Sequence, residues 1–381
     1  MEVNGHCDPQ YSSLRDLLQS HLQTDELGAS LCVSIDGRTV IDIWGGYADT
    51  ARTQPWKEDT IAPVWSISKT VTNLAALVLI DRGLLNPYEK VSKYWPEFAQ
   101  NGKEDIEVRH VLSHTAGLPA WETPITLEEL YDIPLATEKL AKQAPWWTSR
   151  TVSGYHLVTQ GHLVGELVRR ISGKTLAQFI RDEFTTPLNA DFLLGVPEKD
   201  WPRIAEIIPP ESMPTSINID ANSIPARAGG KQGTPVPAVA SMTPAFRQAE
   251  MGASSGFSNA RAVNKILSMI SLGGEVNGKC FLSPETIELI FREQTNGKDL
   301  VLGSHLRFGI GFGLPVPQTV PFIPDDKVCY WGGWGGSIVI MDLNRKMTIT
   351  YVMNKMGSGT MGTSRTGDFV RKIYQIYNEK A

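Results

Sequence analysis

Val64-Trp65-Ser66-Ile67-Ser68-Lys69-Thr70 sets a serine and a lysine three positions apart at the head of a strongly apolar segment. Residues at that spacing share one face of a helix, so Ser66 and Lys69 stand together. Ile67, Val71, Leu74 and Val78 recur at helical spacing and mark one side as buried. The first turn of a helix also carries unpaired N–H groups, which favour developing negative charge. The combination suits nucleophilic catalysis. A serine hydroxyl needs a base to remove its proton, and a lysine desolvated in a dry pocket can be that base because burial disfavours its charged form. A string this short also fits a capped helix with a surface lysine, so the flanking chain has to decide.

On the N-terminal side, Tyr11 to Gln23 carries Leu14, Leu17, Leu18 and Leu22 at helical spacing and predicts a helix covering a sheet. Leu31, Val33 and Ile35 alternate, Asp36-Gly37 supplies a tight turn, and Val40, Ile41 and Ile43 return, which predicts an antiparallel hairpin. Pro55 to Pro63 then leads by a loop to the Ser66 helix, which should stop near Gly83.

Downstream, Val91 to Leu118 reads as short helices joined by turns, and Tyr155 to Gly173 as a longer one. Thr175-Leu176-Ala177-Gln178 has the form of a capping box. Prolines recur without periodicity between Pro197 and Pro244, among them Pro209, Pro210, Pro225, Pro235 and Pro237. Such an irregular stretch suits a wall or lid over a pocket, or a surface excursion. Helices resume at Ser258 to Leu272 and from Ser283-Pro284-Glu285. Strands follow at Phe308 to Phe312, Ser337 to Met341 and Met347 to Met353, and Asp368 to Tyr377 closes the chain as a helix.

Sheet elements thus occupy both ends. The economical assembly is an α/β (α+β) fold in which one antiparallel sheet, built from both termini and flanked by helices, receives an inserted helical region. The boundaries expected are 1–72 with 246–381 for the sheet domain and 73–245 for the mostly helical one, with the active site in the cleft between them.

A length of 381 residues, 41% hydrophobic and 20% charged with a net charge of −5, describes an ordinary globular protein and no basic nucleic-acid binder. Cys7, Cys32, Cys280 and Cys329 are scattered and read as free thiols. No basic, apolar leader opens the chain and no run is long enough to span a bilayer, so a cytoplasmic location without membrane partners is expected.

Two other motifs compete. His110 and His114, four apart, suit two metal ligands on one helix face, but no third ligand is evident, and buried or turn-bonding histidines fit as well. Gly252-Ala253-Ser254-Ser255-Gly256 satisfies G-x-S-x-G, the nucleophile elbow. An elbow follows a buried strand, whereas Phe246 to Met251 is too polar for one, and only His305 remains downstream. A glycine-rich turn before the Ser258 helix fits better.

In order along the chain, Ser66-Ile67-Ser68-Lys69, the stretch Val108 to Pro119, Gly154-Tyr155-His156 with Gly161 to Glu166, and Trp331-Gly332-Gly333-Trp334-Gly335-Gly336-Ser337 resemble the motifs of the serine β-lactamase-like family. The likeness is to its class C-related esterase branch, on a penicillin-binding-protein fold, and covers nearly the whole chain. It implies an acyl-enzyme on Ser66, with Lys69 as base or as the cation that holds a tyrosinate at Tyr155. It also implies an oxyanion hole from the backbone N–H groups of Ser66 and Trp334, and no metal or cofactor. Trp331 stands where the family has the lysine of K-T-G, and Leu157 where lactamases often carry asparagine, so the pocket is more apolar. Ser149-Arg150 replace a common Pro-Gly before the tyrosine. The expected substrate is a fairly apolar carboxylic ester or lactone, contacted by Trp331, Gly332, Gly333, Leu157, Trp146 and Trp147, with possible acyl transfer to an alcohol. A β-lactamase or D-amino-acid peptidase acting on amides is the alternative. Oligomeric state has no signature in the sequence.

Overall fold

Alternating apolar residues and an Asp36-Gly37 reversal, both residues at positive φ (49° and 77°), pair two long strands antiparallel from Ile35 opposite Arg38 to Gly28 opposite Gly46. The computed structural model in which they are seen describes residues 2–210, 220, 222–229 and 236–380. The hairpin consists of β2 (Gly28–Ile35) and β3 (Arg38–Gly46), with β1 (Asn4–Cys7) added to its outer edge, a strand the periodicity did not reveal.

The remaining strands of this sheet come from the other end of the chain. They are β4 (Thr295–Lys298), β5 (His305–Phe308), β6 (Gly313–Leu314), β7 (Val328–Gly332), β8 (Ile338–Asp342) and β9 (Met347–Met353). The nine run β1-β3-β2-β9-β8-β7-β6-β5-β4, every neighbouring pair antiparallel. The two ends meet at β2 and β9, from Met347 opposite Ile35 to Met353 opposite Ala29. The sheet expected from both termini is present. Of Phe308 to Phe312, expected as a strand, only Phe308 lies in one, at the end of β5; the rest is the reversal between β5 and β6, where Gly309 and Gly311 let the chain turn.

Side chains alternate across β9 and fix which helix covers which face. Thr348 bonds Ser271 on α5 (Ala260–Ser271) at 2.8 Å, while Tyr351, on the opposite face, stacks on Phe369 of α6 (Ser364–Lys380). α1 (Ser12–Thr24) lies beside α6. Asn264 on α5 bonds Ser34 and the carbonyls of Cys32 and Thr348, bridging the seam where the ends join.

α2 (Ser68–Asp81) departs from the amphipathic helix expected, because Ser68 to Leu79 are buried on every side. Such all-round burial is the property of a central helix. It packs against α3 (Thr159–Ser172), α5 and helices on either side. Gly83, at φ 69°, ends it as expected. The Thr175/Gln178 capping box forms, and Gly173 closes α3 at φ 72°. Tyr155 lies in the extended segment before α3, not inside a helix. Between Pro197 and Pro244 the chain includes 3-10 turns and a short helix, α4 (Ile224–Gly229), while Pro235 lies outside the described residues.

Candidate active site

From Ile61 to Leu79 every residue is buried except Ser66. It sits in a 3-10 turn, Trp65–Ile67, that runs directly into α2. Its position, second in that turn, leaves its N–H without a partner further back. Trp65 just before it has φ 49°, a strained left-handed conformation for a bulky residue, held by packing. Its ring meets Phe246 and Trp334 edge-on, at 5.8 and 5.3 Å between centroids.

Lys69 is buried, and its Nζ is ringed by three oxygens: Ser66 Oγ at 3.1 Å, the Leu157 carbonyl at 2.7 Å and the Ala253 carbonyl at 3.1 Å. Loss of hydration pushes its pKa well below the ordinary lysine value. A neutral amine suits this cage. Two N–H bonds go to the carbonyls and the lone pair faces the Ser66 hydroxyl.

Tyr155 reaches the same place from the segment before α3, and Lys69 Nζ lies 4.8 Å from its ring centre. Its hydroxyl, beside Ser66, accepts a 2.9 Å hydrogen bond from Trp331 Nε1–H. Burial raises the phenol's pKa, outweighing the pull of Ser66 and Trp331. Of the two uses of Lys69 left open by the sequence, burial of both groups favours the neutral amine and neutral phenol over an ammonium holding a tyrosinate.

The segment carrying Tyr155 is pinned at three consecutive N–H groups. Gly154 donates to the His114 carbonyl (3.0 Å), Tyr155 to Asp299 Oδ1 (3.0 Å) and His156 to His114 Nδ1 (3.1 Å). The His114 ring packs tilted against that of Tyr155, their centroids 4.7 Å apart, from a backbone at φ 62°. His156, its pKa pushed down to about 3 by burial, donates to the Gly154 carbonyl and accepts from Leu118 N–H. His110 accepts the Glu107 N–H in a capping box. The paired histidines thus bond turns and the tyrosine segment. Among the described residues no group of three or more His, Cys, Asp or Glu is placed to hold a metal ion.

Leu157 contributes its carbonyl to Lys69, and its side chain joins an apolar cluster of Tyr155, Phe308, Trp331, Leu306 and Val301, with Trp146 at the edge. Trp147, expected to contact substrate, packs behind the tyrosine segment instead, because only a glycine at 154 leaves room for its ring. Gly332 and Gly333 serve close approach. A Cβ on Gly332 would lie 2.6 Å from the Thr360 carbonyl, and one on Gly333 2.5 Å from that of Val64. The β7–β8 turn is thereby drawn onto the nucleophile's turn. Trp334 N–H, at that turn, has no backbone acceptor among the described residues. Ser254 lies in a turn that precedes the strand Gly256–Ser258, so the order an elbow requires is reversed.

Sequence reasoning missed Ala253, Asp299 and the clamping role of His114. A backbone carbonyl leaves no trace in residue identity, and the left-handed turn at His114 has no glycine to announce it. A cavity of about 910 Å³ lies elsewhere, between the outer face of α3 and residues 131–142, and is lined by none of Ser66, Lys69 or Tyr155.

The Beta-lactamase family model matches residues 14–368. The chain belongs to that family. It is 33% identical over 399 aligned positions to the esterase/beta-lactamase LipL of Mycobacterium tuberculosis, which spans 100% of this chain and 89% of that protein. A family VIII carboxylesterase superposes with a TM-score of 0.92 at 31% identity, covering 99% of this chain and 100% of its own. A penicillin-binding protein homolog from Caulobacter crescentus gives 0.92 at 30%, with the same coverage. The family member described here is a carboxylesterase-like serine hydrolase. No helix among the described residues is long and apolar enough to cross a membrane.

Proposed function

We propose that the chain hydrolyses a fairly apolar carboxylic ester or lactone through an acyl-enzyme on Ser66, in a cleft between the sheet region (1–72 and 246–381) and the helical region (73–245). The observation that carries this is the cage around Lys69 Nζ, which turns an ordinary lysine into a neutral base 3.1 Å from the one accessible residue of its segment.

In the first half-reaction Lys69 takes the Ser66 proton as Oγ attacks the carbonyl carbon. The ammonium so formed keeps its two carbonyl partners and gains the ring face of Tyr155. The N–H groups of Ser66 and Trp334 receive the carbonyl oxygen's negative charge; one such donor is worth about 3–4 kcal/mol in acyl transfer. As the C–O bond breaks, Tyr155, anchored by Trp331, gives its proton to the departing alkoxide and takes the one held on Lys69. Water then adds to the acyl-enzyme and Ser66 leaves with a proton returned through the same groups. An alcohol in the water's place would carry the acyl group away as a new ester.

The similarity to LipL, described as esterase and β-lactamase both, supports amide-like lactams as a second substrate class. The indole at Trp331, in place of an ammonium, favours esters, since it offers no charge for a penicillin carboxylate. Mass spectrometry after treatment with a fluorophosphonate, beside parallel turnover of a nitrophenyl ester and a chromogenic cephalosporin, tests the reading. Labelling should vanish in Ser66→Ala and persist in Ser254→Ala, with the ester turned over faster. An adduct that survives Ser66→Ala overturns it, and faster cephalosporin turnover reverses the substrate ranking.

A further inference from the structure

Tyr155 hands its proton to the leaving group, so the apolar side chains packed beside its ring are those that the alcohol portion of the ester meets; the inference below rests on that reading. There the ring packs in an apolar cluster with Trp331, Phe308, Leu306 and Val301. The same cluster is joined by α4, a helix of six residues. Ile224 and Ala228, four apart and hence on one face, pack onto this cluster.

A helix this short does not hold itself, and its place depends on what it is tied to. The tie is Arg227. Its guanidinium carbon lies 4.0 Å from the centre of the Trp146 ring, the shortest such approach in the described structure. Its Nη2 donates to both Glu122 carboxylate oxygens at 2.7 and 2.9 Å. The ion pair is half open to solvent and weak alone, so the stacking carries most of the attachment. What Arg227 grips is itself fixed through its backbone: the main-chain N–H of Trp146 donates to the Gly117 carbonyl at 2.7 Å, and Gln143 joins Glu122 N–H to the Ala120 carbonyl.

We propose that Arg227, by stacking on Trp146, pins α4 as the outer wall of the alcohol-side pocket and so sets the largest alcohol group that the enzyme accepts. Loss of the stack lets Ile224 and Ala228 draw back and widens that side only. Arg227 is thus a specificity-determining residue that acts through α4.

The test uses two ester series, one acetate series with alcohols from ethyl to naphthyl and one ethyl series with acids from acetate to decanoate. In Arg227→Ala the kcat/KM for the largest alcohol relative to the smallest should rise roughly threefold to tenfold, the loss of one such contact. The acid series should keep its wild-type profile. Arg227→Lys, which keeps the charge but not the flat stacking group, should fall between. Arg261→Ala, which removes a guanidinium from Trp44 in another part of the fold, should change neither series. An unchanged or falling alcohol ratio in Arg227→Ala, or a shift in the acid series instead, overturns the proposal. Wild-type protein inert to both series, or equally active after Ser66→Ala, would remove the esterase reading itself; Ser66-dependent hydrolysis with unaltered alcohol selectivity would remove only this inference.

Discussion

Trp331 donates its indole N–H to the hydroxyl of Tyr155 at 2.9 Å, across 176 positions of sequence. The donor occupies the phenol's lone pair and leaves its own proton aimed elsewhere, which is the state a proton donor needs. Trp331→Phe keeps a ring in the cluster and removes only the N–H. Steady-state kinetics should show kcat lowered about tenfold with KM little moved, since one hydrogen bond is worth about 1–1.5 kcal/mol.

The depressed pKa of Lys69 sets the pH dependence. Protonated, the amine has no lone pair for the Ser66 proton, so kcat/KM rises with pH through the Lys69 ionisation, well below the ordinary 10.5. Tyr155, raised above its ordinary 10.0, brings no decline below that pH. Tyr155→Phe should therefore retain the ascending limb at a reduced rate. Disappearance of that limb in Tyr155→Phe would restore the tyrosinate base.

Two glycines of α3 that look alike in sequence differ in what surrounds them. A methyl group on Gly161 would overlap the backbone of Gly252 and Ala253, whose carbonyl holds Lys69, whereas one on Gly165 would meet only the Leu176 side chain at 3.4 Å. Gly161→Ala should lower stability by about 2–3 kcal/mol and reduce kcat at least tenfold, because the lysine cage is displaced. Gly165→Ala should change stability by less than about 1 kcal/mol. Denaturant titration and initial rates on both variants check this.

His110 is buried with its Nδ1 accepting the Glu107 N–H, and its pKa is held down to about 4 from 6.5. Between those values the unfolded chain binds a proton that the folded one does not, so folding stability contributed by this group is lost as pH falls from 6.5 toward 4. The slope per such group is at most about 1.4 kcal/mol per pH unit. Thermal melts across this range should show a falling Tm, and His110→Asn, which keeps an acceptor without titrating, should flatten the fall.

What the sequence by itself determined is the part governed by near neighbours. Ser66 and Lys69 stand together because three residues make a helical turn; Asp36-Gly37 reverses the hairpin because both tolerate positive φ; Thr175 and Gln178 cap each other because the capping box is a local exchange of bonds. Alternation in β2 likewise marked a strand, and terminal strands too few to stand alone implied one shared sheet. Only the tertiary structure decided what those residues can do. The carbonyls that strip Lys69 of water lie 88 and 184 positions away, and the indole that orients Tyr155 lies 176 away. Desolvation and hydrogen-bond geometry depend on every atom packed around a group, so the same Ser-x-x-Lys string marks a capped surface helix or a reactive serine according to what the rest of the chain brings against it.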